Sequence, residues 1–445
     1  MVRFGNSSIL FRLFLILFLI HGAATLDAKE KRPWTFIVFA AADNNLRDFA
    51  SRNIKQMSMV GSNSNVHIAV HVDTRLSGQK KTTRRYYVEK NNPVQVDIVN
   101  EKIPMNSGDP QTIISACRWA INEYPADHYM LVLWNHGTGI IDPYGRRHID
   151  TNMMYTYNPT TNNFELDRSI GFIDLIEALN DPKGICWDDS TGDFLTNQKL
   201  EFALNEIVTN QLNGKKFDII AFDACLMSMV EIAEITKRYA HIQISSQEVE
   251  PGPGWKYDEA LAPFIVGSPD ARTLSSHIVN AFAKAYRPSG NHPGFVDFTQ
   301  SALDLSMLDA LEANIDSLGE TLSQALQSDQ KDIYKNIIAL SRNKKNLTHF
   351  NEPTYVDLYH LYSNLLQQIK NRSLRNDTAN QLIKILQDGQ SIMKKTIINN
   401  VCGANLPNAK GISIFFPEKR IHPSYKKSNF AKNSWIKFLT AYLLT

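Results

Sequence analysis

Hydrophobic residues in this chain gather in short dense runs, and each run stops at a polar residue of a restricted kind. "WTFIVFAAADNNL" (Trp34–Leu46) ends in Asp-Asn-Asn, "HYMLVLWNHGTG" in a glycine-flanked histidine, and "FDIIAFDACLM" in an acid and a cysteine. "VHIAVHVDT" and "HIQISSQEVEPGPGW" have the same form. Runs this short, bounded by turn signals, predict strands buried on both faces. Between them the period changes to three and four, which predicts helices over Arg47–Val60, "GDPQTIISACRWAINEYP", "TNQKLEFALNEIVTNQL" and Met229–Tyr239. Pro110 is placed to start one of these and Thr196 to cap another. "RRYYVEK" and "VQVDIVN" predict a hairpin or edge ribbon.

Buried strands alternating with amphipathic helices predict an α/β domain whose mostly parallel sheet is covered on both faces. We assign residues 33–296 to that core. The stretch 140–187, rich in Asn, Thr, Tyr and Asp, breaks the rhythm and predicts a long exposed loop with a short helical patch near Phe172–Leu179. Residues 297–445 read as a mostly helical C-terminal part. From it "KGISIFFP" returns a strand near 411–417 to the sheet, where its backbone finds partners.

The N-terminus obeys a different rule. "MVRFGNSSILFRLFLILFLIHGAAT" places Arg3 and Arg12 ahead of or at the edge of an apolar run, with small Gly22 and Ala24 after it. That predicts a cleavable signal peptide over residues 1–24 and an exported protein, secreted or periplasmic. No later stretch is apolar enough to span a bilayer, so no stable membrane insertion is expected after its removal. The whole chain has 47 Lys+Arg against 45 Asp+Glu. Loss of Arg3 and Arg12 leaves 45 against 45, a balance that argues against nucleic acid or anionic membrane as the main partner. Four scattered cysteines, with no CxxC, make neither a zinc finger nor a disulfide scaffold.

Ligands of open parallel sheets sit beyond the carboxyl ends of the strands. Two such ends here carry nucleophile chemistry, His136 and Cys225. A nearby imidazole, with a helix starting after Cys225, would favour the thiolate over the thiol. Gly137 lets the backbone pass close to a substrate, and its N–H with that of Cys225 would form an oxyanion hole. Asp223, two residues before the cysteine, would share its side of an extended strand. A buried carboxylate there needs a partner, and the simplest is a substrate's Lys or Arg. Each residue also has a structural reading: buried cysteines are common, histidines satisfy loops, and Asp caps helices. Strand order, which the sequence does not reveal, decides between the readings. Glu248 and Glu250 follow the next strand as a possible second acid. His67 and His71 share a strand face but lack a third metal ligand.

"LVLWNHGTG", "FDIIAFDACLMSMVEIAE", "ADNNL", "SSQEVEPGPGW" and "GISIFFP" together resemble the clostripain family of cysteine peptidases, in the caspase-like superfamily with gingipains and legumains. The similarity runs in order from about Trp34 to Pro417. It implies a caspase-like sheet, catalytic His136 and Cys225, and Asp223 selecting peptide or protein substrates with a basic residue before the scissile bond. The caspase signature around the cysteine is absent, so specificity for aspartate is not implied. The family is often made as a zymogen that cuts itself between the histidine and the cysteine. Arg146-Arg147, Arg168 and Lys183 lie in that segment, and Arg147 is the preferred candidate. The chemistry requires no cofactor and no metal ligand is assigned. Some members need calcium, and the cluster Asp188, Asp189 and Asp193 lacks EF-hand spacing, so calcium stays open. The rival reading is a catalytically silent relative serving as a secreted binding or adhesion module.

Overall fold

The computed structural model describes residues 30–75, 78–99, 104–142, 155–158, 163–166, 184–292, 294–374 and 376–444. Its centre is built from β1 (Arg32–Ala42), β2 (Val66–Thr74), β5 (Ala126–Trp134), β10 (Phe217–Asp223) and β11 (Ala240–Ser245), which run parallel in the order β11-β10-β5-β1-β2. Antiparallel β3 (Thr82–Glu89) and β4 (Asn92–Val99) extend one side, the expected edge ribbon. β12 (Thr299–Asp304) and β14 (Ile397–Cys402) extend the other, making nine strands.

The period of two along each strand sorts the core into two layers. Ile37, Phe39, Leu131, Leu133, Ile220 and Phe222 face one cluster, while Phe36, Val38, Met130, Val132, Ile219 and Ala221 face the other. Helices Pro110–Glu123 and Asn197–Asn210 cover the first face, and Arg47–Val60 and Ala271–Tyr286 the second. The cap expected at Thr196 is present, its hydroxyl accepting from the N–H of Lys199 at 3.1 Å. The fold is a mostly parallel α/β sheet flanked by helices.

Three expectations need correction. The stretch 140–187 was expected to be exposed, yet Ile140, Ile141, Ile185, Cys186 and Trp187 are buried, and Ile185–Asp188 forms a strand, β8. A four-residue strand is too short to show a period. The strand expected near 411–417 does form, as β15 (Ser413–Phe415), but it pairs with β13 (Tyr355–Asp357) outside the central sheet. The strand that returns is β14, entered directly from the helix Asp377–Thr396 with no turn residues between them. Met229–Tyr239 was expected to be helical throughout, but the helix occupies only Val230–Thr236. Residues 1–24, the helical patch at 172–179 and Arg147 lie outside the described residues.

Candidate active site

β5 and β10 are neighbours, with Trp134 opposite Asp223 in register. His136 therefore leaves the sheet two residues past one strand end and Cys225 two residues past the next. Both line one pocket together with Leu46, Asp223, Glu250 and Gly254. They are recessed, with 4% and 5% of their surfaces exposed.

The histidine loop is narrow because glycine makes it so. A side chain at Gly137 would place Cβ 2.4 Å from the carbonyl oxygen of Cys225. Gly139 has a φ of +66°, and its Cβ would meet Tyr355 at 2.7 Å. The Tyr355 hydroxyl donates to the carbonyl of Thr138 at 2.6 Å and accepts from the N–H of Ile141 at 3.1 Å. At the loop's exit Asp142 accepts from the N–H of Asn197 at 2.9 Å. His136 itself is held by Asn45, whose Oδ1 lies 2.7 Å from Nε2.

The cysteine sits in a turn rather than at a helix start. Leu226, at a φ of 65°, takes a left-handed conformation that ends any continuous helix. The turn is fastened instead to the chain leaving β11. Leu226 N–H donates to the carbonyl of Glu248 at 3.2 Å, and Ser228 N–H to that of Ser246 at 2.8 Å. With the helix beginning at Val230, its dipole, confined to the first turn, does not supply the support for a thiolate that the sequence suggested. Strand alternation does not join Asp223 to Cys225 either. Asp223 faces Trp255 and Tyr257 of one core layer while Cys225 packs with the other. The turn after β10 is what brings both to one pocket.

Asp223 accepts from the Tyr257 hydroxyl at 2.7 Å and the Trp255 N–H at 3.4 Å. The chain passes so close at Gly254, where φ is +64°, that a Cβ there would lie 2.7 Å from Asp223 Oδ1. Burial pushes the Asp223 carboxyl up to about 6, and the hydrogen bonds from Glu250, Tyr257 and Trp255 oppose that rise. Glu250 is pushed well above its ordinary value, first by burial and then by the charge of Asp223. Two carboxyl groups this close cannot both ionise. Glu250, raised further above its ordinary value than Asp223, is the member of the pair that favours the proton. Gln300 Nε2 donates to Glu250 Oε1 at 2.9 Å and fixes its orientation. Glu248 is not a pocket residue; its carboxylate accepts from the N–H groups of Val249 and Asn351 at 2.8 and 3.2 Å.

The acidic cluster disperses. Asp188 pairs with the buried Lys81, whose ammonium also meets Asp73 at 2.8 Å and Asp43 at 3.7 Å. Asp189 accepts from the Trp187 indole at 2.6 Å, and Asp193 pairs with Lys199 at 2.8 Å. Among the described residues no group of three or more His, Cys, Asp or Glu is arranged to hold a metal. His67 lies within hydrogen-bond distance of the Tyr87 hydroxyl, at 3.1 Å, and of the Glu30 carbonyl, at 2.8 Å. His71 stacks on Phe39, and burial holds it neutral by lowering its pKa to about 3. Cys117, Cys186 and Cys402 form no disulfide. Burial raises the thiol of Cys117 to about 12 and that of Cys186 in the same direction, so neither competes as a nucleophile.

Sequence reasoning quoted "ADNNL" but gave Asn45 no role, and it missed Lys81 and Tyr257. The signal for Asn45 was its place beyond the carboxyl end of β1, the same rule that found His136 and Cys225.

Known proteins similar to this chain fall in one family. A model of the Clostripain family matches residues 38–163 and 172–441. Clostripain of Hathewaya histolytica is 25% identical over 338 residues, which cover 67% of this chain and 58% of that protein's length. Two solved structures share the fold. One is a secreted cysteine protease from Bacteroides thetaiotaomicron in complex with an irreversible peptide inhibitor, at 20% identity and a TM-score of 0.59 over 93% of this chain and 100% of that one. The other is an inactive zymogen protease from Parabacteroides distasonis, at 18% identity and a TM-score of 0.58 over 92% and 99%.

Proposed function

The chain belongs to the clostripain family, and from that premise we propose that it is an exported cysteine endopeptidase cleaving after Arg or Lys. The observation that carries the proposal is the meeting of His136, Cys225 and Asp223 in one recessed pocket at the ends of adjacent parallel strands. The Cys225 thiolate attacks the scissile carbonyl carbon, and the electron pair displaced onto oxygen is held by the N–H groups of Gly137 and Cys225. His136 gives its proton to the leaving amine as the C–N bond breaks. It then takes a proton from the water that releases the acyl group. Without a helix N-terminus beside Cys225, the imidazolium of His136 is the charge that favours the thiolate. Asp223 receives the basic side chain before the scissile bond, and the proton held by Glu250 keeps the pair from mutual repulsion until a cation arrives.

Export rests on the 1–24 segment, and activation by self-cleavage on Arg147, five residues beyond Asp142. The chemistry calls for no cofactor; a structural requirement for calcium is tested alongside. The experiment is hydrolysis of fluorogenic peptides ending in Arg, Lys, Asp or Asn by wild type and Cys225→Ala, with calcium and with chelator. Mass analysis of the wild type and Arg147→Ala chains runs in parallel. Cleavage after Arg or Lys alone, lost in Cys225→Ala, is the expected result. Silence towards every peptide, even after the segment is nicked, would favour a binding module.

A further inference from the structure

We infer that Asn45 is the positioning residue for His136, fixing the imidazole so that Nδ1 serves the thiol and the leaving amine; this rests on the cysteine-peptidase reading above. β1 and β5 are neighbours, with Ala40 opposite Trp134. Asn45 and His136 thus leave the sheet side by side, and the carboxamide oxygen reaches Nε2 at 2.7 Å. An imidazolium, the state required beside a thiolate, donates from both nitrogens, so only an acceptor fits at Nε2. The carboxamide oxygen is that acceptor, and it leaves Nδ1 as the nitrogen that shuttles the proton.

The loop bearing Asn45 is braced. Asn44 Oδ1 accepts from Leu46 N–H at 2.9 Å, and its Nδ2 donates to the carbonyls of Ala41 and Trp187 at 2.9 and 3.0 Å. Asn135, the residue before His136, donates to the same two carbonyls and accepts from Trp187 N–H at 2.9 Å. Asp43 accepts from the N–H of Ser190 at 3.2 Å and, through its carbonyl, from that of Asp189 at 2.8 Å. Asn45 and His136 are therefore fixed to one frame, with β8 as the shared brace. A neutral orienting group holds the ring without adding charge to a pocket that Asp223 already makes negative.

The test compares wild type, Asn45→Ala and Asn45→Asp in two measurements: peptide hydrolysis against pH, and the rate of Cys225 alkylation by iodoacetamide against pH, located by peptide mass. The titratable groups sharing the pocket with His136, namely Asp223, Glu250 and Cys225, are unchanged throughout, so differences between variants report on position 45. Asn45→Ala is expected to lower kcat about a hundredfold with KM little altered. It should also raise the apparent pKa of the Cys225 thiol towards the free value of about 8.5. Asn45→Asp, which keeps the shape, is expected to recover most of kcat and to move the basic limb upward, because a carboxylate stabilises the imidazolium. If Asn45→Ala does not fold, that upward shift in Asn45→Asp decides. Unchanged kcat and an unchanged alkylation profile in both variants would overturn the inference while leaving the peptidase standing. A wild-type Cys225 that alkylates as an ordinary thiol and cleaves nothing would remove the peptidase reading, and Asn45 with it.

Discussion

At Asp223 and Glu250 two buried carboxyl groups share a proton at the floor of the pocket, and that arrangement fixes how binding varies with pH. Burial pushes the Asp223 carboxyl up to about 6. Below that value it is neutral and attracts no cation; above it the pocket carries a charge that a guanidinium or ammonium neutralises. KM for peptides with Arg or Lys before the scissile bond is therefore expected to fall as pH rises through about 6. Asp223→Asn should abolish that dependence and raise KM about 10- to 100-fold, the worth of a charge-assisted hydrogen bond. A matched peptide with a neutral residue serves as control. Equal pH dependence for both peptides in wild type would refute the assignment. Asp223 was legible in the sequence because it sits on a strand whose end is marked by a change in composition. Its proton-bearing partner was legible only as a possibility. Glu250 reaches the pocket from an irregular loop, and Tyr257 meets Asp223 from the start of the short helix Tyr257–Ala260; no period fixes where such side chains point.

Among the elements, the strand ends near His136 are tied together by Lys81, the first polar residue before β3. Its ammonium draws in Asp73 from β2, Asp188 from β8 and Asp43 from the loop after β1. Removing the cation would leave buried carboxylates without compensation, a change that costs about 3–5 kcal/mol. Lys81→Met is expected to lower the urea midpoint of unfolding accordingly, and an unchanged midpoint would show the cluster to be dispensable. The elements themselves were largely readable. Runs of buried β-branched and aromatic residues located β1, β2, β5, β10 and β11, and three-and-four spacing located the helices between them. What escaped was short or tertiary in origin. β8 is too brief to show a period, β15 was expected but its pairing with β13 was not, and the turn after Cys225 depends on Leu226 adopting a left-handed conformation that favours glycine.

Taken as one molecule, the chain does not divide into a peptidase core and an appendage. β12 and β14 complete the central sheet, and the isolated bridge from Met229 to Ser413 ties the segment after Cys225 to β15. Tyr355 grips the histidine loop, and the Ser424 hydroxyl accepts from the N–H of Asp142 at 3.1 Å. A chain ending at residue 296 would expose the β11 edge and strip both loops of these partners. It is expected to lack a cooperative thermal transition and all peptide hydrolysis; near-ultraviolet dichroism and a calorimetric scan check this, and a cooperative, active fragment would contradict it. The sequence pointed to this dependence through the wrong strand, β15 instead of β14, because the pairing of β14 with β12 spans about a hundred residues, beyond any local pattern.

The most direct measurement is the intact mass of wild type, His136→Ala and Cys225→Ala after incubation with a peptidyl acyloxymethyl ketone bearing arginine. The account predicts a single adduct on Cys225 in wild type, formed far more slowly in His136→Ala and absent in Cys225→Ala. No adduct in wild type, or one carried by another residue, would contradict it.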